Sequence, residues 1–526
     1  MKRDFVSLAN GEFDLLICGG GIYGAWTAYD AARRGLQVAI VEQGDWASAT
    51  SSASSKLIHG GLRYLESYDF KLVKKALAER EMLLRVAPHR VWPLNFGVPV
   101  YADSRVPSWQ LKMGLTLYDF FAGKLFSKDS HHHFNKDAFA EHFPSLNTDN
   151  LNGGFIYADA QTDDARLVLE LISGAIEHGA VCVNYCRLTE LIEQNGKISG
   201  AFVQDQTNST IVQISAKQIV NTTGHWTTAS EQGRSWCRLT KGVHLVLPAT
   251  LCEDALLLTA QSDGRVFFII PWYGMTLLGT TDTAYSGDVN HVKVEPEDIC
   301  YLLTEANHYL KTAWTEADVV GSYAGVRTMK RSDESSPSAM SRDWELVTAE
   351  NGVHHSIGGK ITSAREDASN IVDKVCSQLG VEKLCATKDV PFPWTPTAMP
   401  QASYAEWSVA INAQAQQSGV DGESSKCLIR RHGKRVVEVL NSIAHDAKLT
   451  ERITPTLPFI YADLLFCVRN EMVVHLDDLL RRRTPLLILA KLTEIELRHI
   501  AEAVAVVMGW DEVMIKSEIK RCLSYP

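Results

Sequence analysis

The stretch that decides the fold is Phe13–Glu42, which reads FDLLICGGGIYGAWTAYDAARRGLQVAIVE. A short apolar run, Asp14–Cys18, has the length of a buried parallel strand, and three glycines follow it in the spacing G-x-G-x-x-G. Apolar residues then recur at helical spacing as far as Gly35, and a second apolar run, Val38–Val41, ends at Glu42. Strand, glycine turn, helix, strand and terminal acid in this order predict a dinucleotide-binding βαβ unit.

Each glycine of this motif has a separate physical role. Gly19 permits the tight turn, Gly21 allows a diphosphate to approach the backbone, and Gly24 allows helix and strand to pack closely. The free N–H groups at the start of the helix favour a negative charge there. Glu42 has the spacing of a carboxylate that accepts the hydroxyl groups of an adenosine ribose. The alternative to a dinucleotide site is a glycine-rich turn with a purely structural role. If the site binds a dinucleotide, this stretch alone does not distinguish NAD from FAD.

Composition limits the class of protein. The chain has 526 residues, 45% of them hydrophobic and 22% charged, which is typical of a globular enzyme with two or three domains. A net charge of −10 argues against broad nucleic-acid binding, which requires a basic surface. The eleven cysteines form no C-x-x-C pair, which indicates reduced thiols in a protein that faces the cytosol. Met1–Glu12 lacks the apolar core of a secretory signal, and we expect a soluble or peripheral protein.

The segment after Glu42 is rich in hydroxyl groups. Six Ser and Thr residues fall within positions 48–55, and Lys56, Gly60–Gly61, Arg63 and Tyr64 follow them. A flexible serine linker is the alternative, but such linkers seldom lead into this set of residues. The segment TSSASSKLIHGGLRYLE, residues 50–66, together with the opening motif, resembles the FAD-dependent glycerol-3-phosphate dehydrogenases of the respiratory type.

Further motifs carry the same resemblance along most of the chain. They are DDARLVL at 163–169, IIPWYGMTLLGTTDT at 269–283, G-V-R at 325–327 with S-R-D at 341–343, and SIGGKITSAR at 356–365. The motif KGVH at 241–244 departs from the family pattern, because Val243 stands where a small hydroxyl residue is expected. This departure puts the fine geometry of the substrate site near His244 in doubt.

The resemblance implies an α/β fold with a Rossmann-like FAD-binding domain, an antiparallel-sheet substrate domain and a C-terminal α-helical domain. We expect the FAD-binding domain at residues 1–100, 150–235 and 345–385, the substrate-binding domain at 101–149 and 236–344, and the helical domain at 395–526. A strand that ends at Gly224 after a meander favours FAD over NAD, since NAD enzymes usually continue with repeated βα units. Prolines at 391–400 mark a linker. Arg481–Arg483 is predicted to be structural or part of a subunit contact.

The matching positions imply a set of site residues. The predicted FAD contacts are Gly19, Gly21, Gly24, Glu42, Thr50, Ser51, Ser55, Lys56, Gly60, Gly61, Gly224, Gly358, Gly359 and Lys360. The predicted substrate-phosphate pocket consists of Arg63, Tyr64, Arg327, Arg342 and Lys360. Taken singly, each cation is more often a surface ion pair, but their places beside glycine turns favour a shared anion pocket.

An alcohol oxidation also requires a group that accepts the hydroxyl proton. His244 is the candidate general base, with His59 as its rival, and Arg327 is expected to stabilise the transition state. No metal site is predicted, since the adjacent imidazoles of His131–His133 cannot all face one ion and indicate a solvated loop.

The resemblance implies oxidation of sn-glycerol 3-phosphate to dihydroxyacetone phosphate, with electrons passed to a quinone. Aromatic and basic residues occur together in Arg105–Lys128, which suits a segment that lies in the lipid interface. The alternative is an ordinary amphipathic helix packed on the protein, and the resemblance favours the peripheral site on the cytoplasmic membrane. The alternatives are an oxidase of the same fold that uses oxygen or another anionic hydroxy or amino acid, and a non-catalytic FAD-binding regulatory protein. The sequence leaves open whether the chain forms a homodimer.

Overall fold

The computed structural model describes residues 1–66, 68–125, 127, 129–331, 343–396 and 403–525. Two sheets and a helical C-terminal region account for most of the regular structure. The strands, numbered in chain order, are β1 Glu12–Cys18, β2 Val38–Val41, β3 Leu57–Ile58, β4 Val91–Tyr101, β5 His132–Asn135, β6 Leu151–Thr162, β7 Val181–Val183, β8 Cys186–Gln194, β9 Lys197–Asp205, β10 Ile211–Asn221, β11 Cys237–Leu247, β12 Ala255–Thr259, β13 Val266–Trp272, β14 Met275–Gly279, β15 Thr283–Ala284, β16 Gly321–Lys330, β17 Glu345–Thr348 and β18 His354–Ile357.

The helices lie between the strands in the first part of the chain and follow one another directly near the C-terminus. In chain order they are α1 Phe5–Asn10, α2 Ile22–Arg33, α3 Phe70–Val86, α4 Ser108–Ala122, α5 Lys136–His142, α6 Asp164–Glu177, α7 Glu231–Trp236, α8 Pro296–Asn307, α9 Ala364–Leu379, α10 Tyr404–Gln417, α11 Gly422–His432, α12 Val436–Ile443, α13 Tyr461–Asn470, α14 Leu476–Asp478, α15 Leu486–Leu489, α16 Glu494–Met508 and α17 Glu512–Leu523.

The first sheet has β1 near its centre, in the order β17-β18-β10-β1-β2-β7, with β8 and β9 as an antiparallel extension of β10. The strands β18, β10, β1, β2 and β7 run parallel, so their carboxyl ends meet at one edge. Helix α2 packs against α6 and α9, and its residues Ala25, Trp26 and Tyr29 are buried. The predicted βαβ unit therefore lies at the centre of a parallel sheet, with its glycine turn at the edge where ligands bind in such folds.

The second sheet is antiparallel apart from the pair β12 and β4, and its order is β15-β11-β14-β13-β12-β4-β6-β3. Strands β3, β4 and β6 belong to this sheet, although their residues fall mainly within the ranges expected for the FAD-binding domain. The reason is that β4 pairs with β6 from Val91 to Tyr101, so that neither strand is available to the parallel sheet. The short strand β5, which contains His132 and His133, adds to β6, whereas the sequence indicated a solvated loop there.

Beyond residue 403 the described chain is helical, so the predicted α/β fold with an antiparallel second sheet and a helical C-terminal region is confirmed. Buried ion pairs join this region to the parallel sheet: Arg166 on α6 pairs with Glu471, and Asp45 pairs with Arg482 and Arg483. These pairs are almost fully buried, so removal of one partner would leave an uncompensated charge. Within the described residues, no helix is both long enough and apolar enough to span a bilayer.

Candidate functional site: a cavity between the two sheets

A cavity of about 310 Å³ lies between the carboxyl edge of the parallel sheet and the antiparallel sheet. Residues from both sheets and from the hydroxyl-rich segment line it. Of the residues predicted for the site, thirteen lie on its wall: Gly21, Thr50, Ser51, Ser55, His59, Gly61, Arg63, Tyr64, Gly224, Arg327, Gly358, Gly359 and Lys360. The structure thus brings together segments that are up to 339 positions apart, from Gly21 to Lys360. Arg342 lies outside the described residues.

The glycine turn of the βαβ unit has little free space. A Cβ atom on Gly24 would overlap the carbonyl oxygen of Gly19. Gly19 has a φ of +110°, and a Cβ atom on it would lie 2.7 Å from the carbonyl oxygen of Thr222. At Gly21 the nearest atom is the Ser51 hydroxyl, which accepts a hydrogen bond of 2.9 Å from the Ile22 N–H. Ser51 therefore occupies the helix N-terminus at which a diphosphate is predicted to bind.

Glu42 lies just behind this turn and is buried. Its carboxylate accepts hydrogen bonds from the N–H groups of Gly20, at 2.6 Å, and Gly44, at 2.9 Å. Burial raises its pKa, and the two backbone donors oppose that shift. Each carboxylate oxygen retains a further lone pair, so the predicted contact with a ribose hydroxyl stays chemically available.

Hydrogen bonds and an ion pair of Lys56 and Thr50 fix the position of the hydroxyl-rich segment. Lys56, whose φ is +59°, turns its ammonium away from the cavity, towards Asp164 at 2.7 Å and the Ser52 carbonyl oxygen at 2.6 Å. Thr50 donates to the Val326 carbonyl oxygen at 2.6 Å, which ties the segment to β16. In this arrangement Lys56 supports the cavity wall, and its predicted contact with the cofactor would require a different side-chain direction.

His59 and His244 occupy different positions relative to the cavity. His59 lies on the cavity wall, with its ring nearly perpendicular to that of Phe268. His244 is buried, stacks on Tyr323 at 4.9 Å between ring centres, and its Nε2 lies 2.9 Å from the Ser55 hydroxyl. Burial and the nearby charges of Arg327 and Lys56 hold the pKa of His244 well below its usual value, so that its imidazole is neutral at pH 7. Among the described residues, the hydrogen bond of His244 goes to Ser55, which lines the cavity.

Three of the predicted cations line the cavity. The Arg327 guanidinium donates to the Thr280 hydroxyl at 3.0 Å and lies 3.3 Å from the Asp282 carboxylate. The Lys360 ammonium lies 3.5 Å from the centre of the Tyr64 ring, and Arg63 also lines this wall. The cavity therefore offers several positive charges to one ligand, as the predicted anion pocket requires.

Two of the lining residues that the sequence did not indicate, Arg265 and Tyr23, make polar contacts that shape the site. Arg265 reaches the cavity from the start of β13 and donates to the Asp282 carbonyl oxygen at 2.6 Å. The Tyr23 hydroxyl donates to Asp367 at 2.8 Å and accepts from the Lys360 N–H at 2.9 Å, which fixes the Gly358–Lys360 turn. A cation at a strand start and a tyrosine in a helix carry no local signal of these roles. Gly359, in contrast, was predicted from the sequence. Its φ is +95°, and a Cβ atom there would overlap the Tyr23 hydroxyl, so the position excludes a side chain.

Val243 points away from this site. It is fully buried among the apolar residues between the antiparallel sheet and α8, whereas the neighbouring His244 faces Ser55. Successive residues of a strand point to opposite faces, which explains the difference. The departure from the family motif therefore lies outside the cavity wall.

Among the described residues, one group of three side chains has the spacing of metal ligands, namely His432, Asp463 and Cys467 in the C-terminal region. One carboxylate oxygen of Asp463 already lies 2.7 Å from His432 Nε2 and 3.2 Å from the Arg431 guanidinium. A cation would have to displace that arginine, so we interpret the group as a buried ion-pair network.

Comparison with known proteins defines the class. The profile of the FAD dependent oxidoreductase family matches residues 14–365, and that of the C-terminal domain of alpha-glycerophosphate oxidase matches residues 395–514. Fold, cavity and profile together define a flavoprotein oxidoreductase, so FAD is the cofactor and the residues around Gly21, Gly224 and Gly358 are suited to hold it.

Sequence relatives identify the family within this class of flavoprotein oxidoreductases. A glycerol-3-phosphate dehydrogenase from Synechocystis is 35% identical over 92% of this chain and 90% of its own length. The aerobic glycerol-3-phosphate dehydrogenase of Bacillus subtilis is 33% identical over 92% and 89%. The X-ray structure of the glycerol-3-phosphate dehydrogenase from Bacillus halodurans, complexed with FAD, superposes with a TM-score of 0.80 at 28% identity, over 98% of this chain and 95% of that one. The chain belongs to the glycerol-3-phosphate dehydrogenase family.

Proposed function

We propose that this chain oxidises sn-glycerol 3-phosphate to dihydroxyacetone phosphate and passes the electrons to a quinone. The observation that carries the proposal is one cavity that is lined both by the cations Arg63, Arg327 and Lys360 and by the glycine turns at Gly21 and Gly358. FAD, when bound, supplies the acceptor for the hydride that leaves the substrate carbon. The cations bind the phosphate group, and arginine forks match its oxygens in pairs. The names of the sequence relatives support this substrate.

The hydroxyl proton of the substrate requires an acceptor on the cavity wall. His59 lies on that wall and can accept the proton directly, whereas His244 can accept it only through the Ser55 hydroxyl. This geometry supports His59 as the proton acceptor, whereas His244 could act as the base only with the Ser55 hydroxyl as an intermediary. His59→Gln should then lower kcat more than His244→Gln does, with FAD retained in both. A larger loss in His244→Gln would assign the base to the buried histidine.

Anaerobic bleaching of the bound flavin tests the substrate. The purified chain is mixed with glycerol 3-phosphate, glycerol, lactate, 2-hydroxyglutarate and glycine in separate samples, and the flavin absorbance is followed. We expect rapid bleaching by glycerol 3-phosphate, and slow or no bleaching by glycerol, which lacks the phosphate group. Preferential bleaching by lactate, 2-hydroxyglutarate or glycine would refute the proposed substrate.

An exposed apolar surface supports the proposal that the chain works at a membrane. It consists of Tyr68, Phe70, Trp109, Met113 and Phe120, and we call it the aromatic surface. Trp109, Met113 and Phe120 on α4 are 62 to 65% exposed, and Tyr68 is 78% exposed. Phe126 and Lys128, which belong to the predicted interfacial segment, lie outside the described residues. Large aromatic side chains in water favour an interfacial position, because burial in lipid removes their apolar area from water.

A groove of about 940 Å³ runs from the aromatic surface to the cavity between the two sheets, which we call the flavin cavity. Tyr68, Phe70 and Met113 line its outer part, and it shares Leu62 and Arg63 with the cavity. An apolar quinone dissolved in a bilayer would approach the flavin along this groove. The groove thus connects the two parts of the proposal, electron transfer to quinone and a position on the cytoplasmic membrane.

Co-sedimentation with liposomes tests this position. Trp109→Ser and Phe120→Ser should each lower liposome binding, while Val506→Ser, at a residue of α16 that is 91% exposed, should leave it unchanged. Equal binding by all three variants would contradict the proposed surface.

The electron acceptor is tested separately, by measuring quinone reduction and peroxide formation during turnover. Stoichiometric peroxide without quinone reduction would identify the oxidase alternative.

A further inference from the structure

The side chain of Arg327 crosses over a neighbouring strand of the antiparallel sheet. In that sheet β11 lies between β16, which carries Arg327, and the strands β14 and β15. The guanidinium passes over β11 at Gly242, where a Cβ atom would lie 2.3 Å from Arg327 Nη2. On the far side of β11 it meets residues 280–282, which join β14 to β15. The glycine at this position of β11 therefore leaves the path of the side chain open.

Residues 280–282 fix the direction of the Arg327 guanidinium. Its Nη2 donates to the Thr280 hydroxyl at 3.0 Å, and its Nη1 lies 3.3 Å from both the Thr281 carbonyl oxygen and the Asp282 carboxylate. Three acceptors on three successive residues thus hold two of the nitrogen atoms. Because these acceptors belong to one short segment, a shift of that segment would turn the guanidinium as a whole.

Arg265 holds the same segment from the opposite side. It lies just before β13, on the side of β14 that is remote from β11, and its Nη1 donates to the Asp282 carbonyl oxygen at 2.6 Å. Its Nε lies 3.3 Å from the Asp263 carboxylate, which orients the guanidinium. On the β11 side the Val243 N–H donates to the Thr281 hydroxyl at 3.0 Å. Charged donors form shorter and stronger hydrogen bonds than neutral ones, so Arg265 supplies the stronger of these two contacts.

We propose that Arg265 is a positioning residue for phosphate binding. It holds residues 280–282 in the place from which their acceptors direct Arg327, and Asp263 keeps Arg265 itself in place. The inference rests on the proposed function in one respect, namely that Arg327 binds the phosphate group of the substrate. Arg265 also lines the flavin cavity, so the competing role is a direct contact with the anion, which would not depend on Arg327.

A double-mutant cycle separates these two roles in the full-length holoenzyme. Arg265→Met removes the donor but keeps an unbranched side chain, and it is made both in the parent chain and in Arg327→Ala. Arg265→Lys keeps one charged donor for the Asp282 carbonyl oxygen. Arg234→Met is the matched control, because Arg234 donates to the Thr228 carbonyl oxygen at 3.0 Å and does not line the cavity. The Kd for inorganic phosphate is measured by calorimetry at constant ionic strength, and KM and kcat for glycerol 3-phosphate are measured with an artificial electron acceptor.

We expect Arg265→Met to weaken phosphate binding about tenfold and to raise KM by a similar factor, while kcat changes little, because a charged hydrogen bond that supports phosphate binding is lost. In Arg327→Ala the same replacement should change the Kd and KM by less than about twofold, since the residue that Arg265 positions is absent. Arg265→Lys should regain most of the affinity, and Arg234→Met should match the parent chain.

A tenfold effect of Arg265→Met that persists in Arg327→Ala would overturn the proposal, because Arg265 would then act on the anion by itself. Equal affinity of Arg265→Met and the parent chain, or a parent chain that binds no phosphate, would overturn it as well. If Arg265→Met does not fold, Asp263→Asn takes its place at a carboxylate that is 32% exposed, with an expected loss of about threefold that disappears in Arg327→Ala. A parent chain that binds phosphate, but whose flavin is not bleached by glycerol 3-phosphate, would refute the proposed substrate and leave the phosphate cycle decisive for Arg265.

Discussion

Replacement of Arg327 by alanine tests the phosphate pocket most directly. The side chain is 23% exposed, and its guanidinium is oriented by Thr280 and Asp282. A hydrogen bond to a charged group contributes about 1.5–3 kcal/mol, and partial exposure places Arg327 near the middle of that range. Arg327→Ala should therefore cost about 2 kcal/mol of transition-state binding, which is about a 30-fold loss in kcat/KM for glycerol 3-phosphate. Arg327→Lys keeps the charge but loses the planar fork, so we expect an intermediate loss.

The assay compares substrates with and without phosphate. Initial rates with an artificial electron acceptor give kcat/KM for glycerol 3-phosphate and for glycerol, and FAD content and the unfolding midpoint are measured on the same preparations. The loss should be confined to glycerol 3-phosphate, because glycerol offers no anion to the guanidinium. Arg234→Ala, at an exposed arginine on α7, serves as the control and should leave both values unchanged. Equal kcat/KM for glycerol 3-phosphate in Arg327→Ala and the parent chain, with FAD retained, would refute the assigned pocket.

Three further predictions concern the scaffold of the site. Asp164→Asn leaves the ammonium of Lys56 buried without its partner and should lower the free energy of unfolding by about 3 kcal/mol in denaturant titrations; a change below ~1 kcal/mol would contradict the supporting role of this pair. Gly359→Ala forces a Cβ atom onto the Tyr23 hydroxyl at a φ of +95°, so the purified variant should lose bound FAD, whereas Gly352→Ala, at a φ of +91° with open space around it, should keep it. The pKa of Glu170 is lowered to about 2 although burial alone would raise it, because a histidine and an arginine pair with the carboxylate. A lowered folded-state pKa gives stability that is present above the unfolded pKa of about 4.3 and lost as the pH falls towards 2, so the unfolding free energy of the parent chain should fall more steeply over that range than that of Glu170→Gln.

The sequence predicted which residues lie at the site better than it predicted where their side chains point. The resemblance named thirteen residues that line the cavity, because motifs at turns and strand ends keep a fixed relation to the nearby backbone. It could not show that Lys56 turns towards Asp164, or that His244 lies behind Ser55, since both depend on contacts with distant parts of the chain. The membership of β4 and β6 in the antiparallel sheet was equally hidden, because pairing partners are chosen in three dimensions and local strand propensity is the same in either sheet.

The sequence by itself determined the βαβ unit at Phe13–Glu42, since glycine spacing and apolar periodicity act over a few residues and are set by backbone sterics and helix geometry. Only the tertiary structure decided which cations converge. Arg63, Arg327 and Lys360 come from three separate segments, and the crossing of the two sheets brings them to one cavity. The same holds for Arg482 and Arg483, which buried ion pairs join to Asp45 in a distant part of the sequence. Local chemistry fixes turns, whereas charge clustering depends on packing between distant elements.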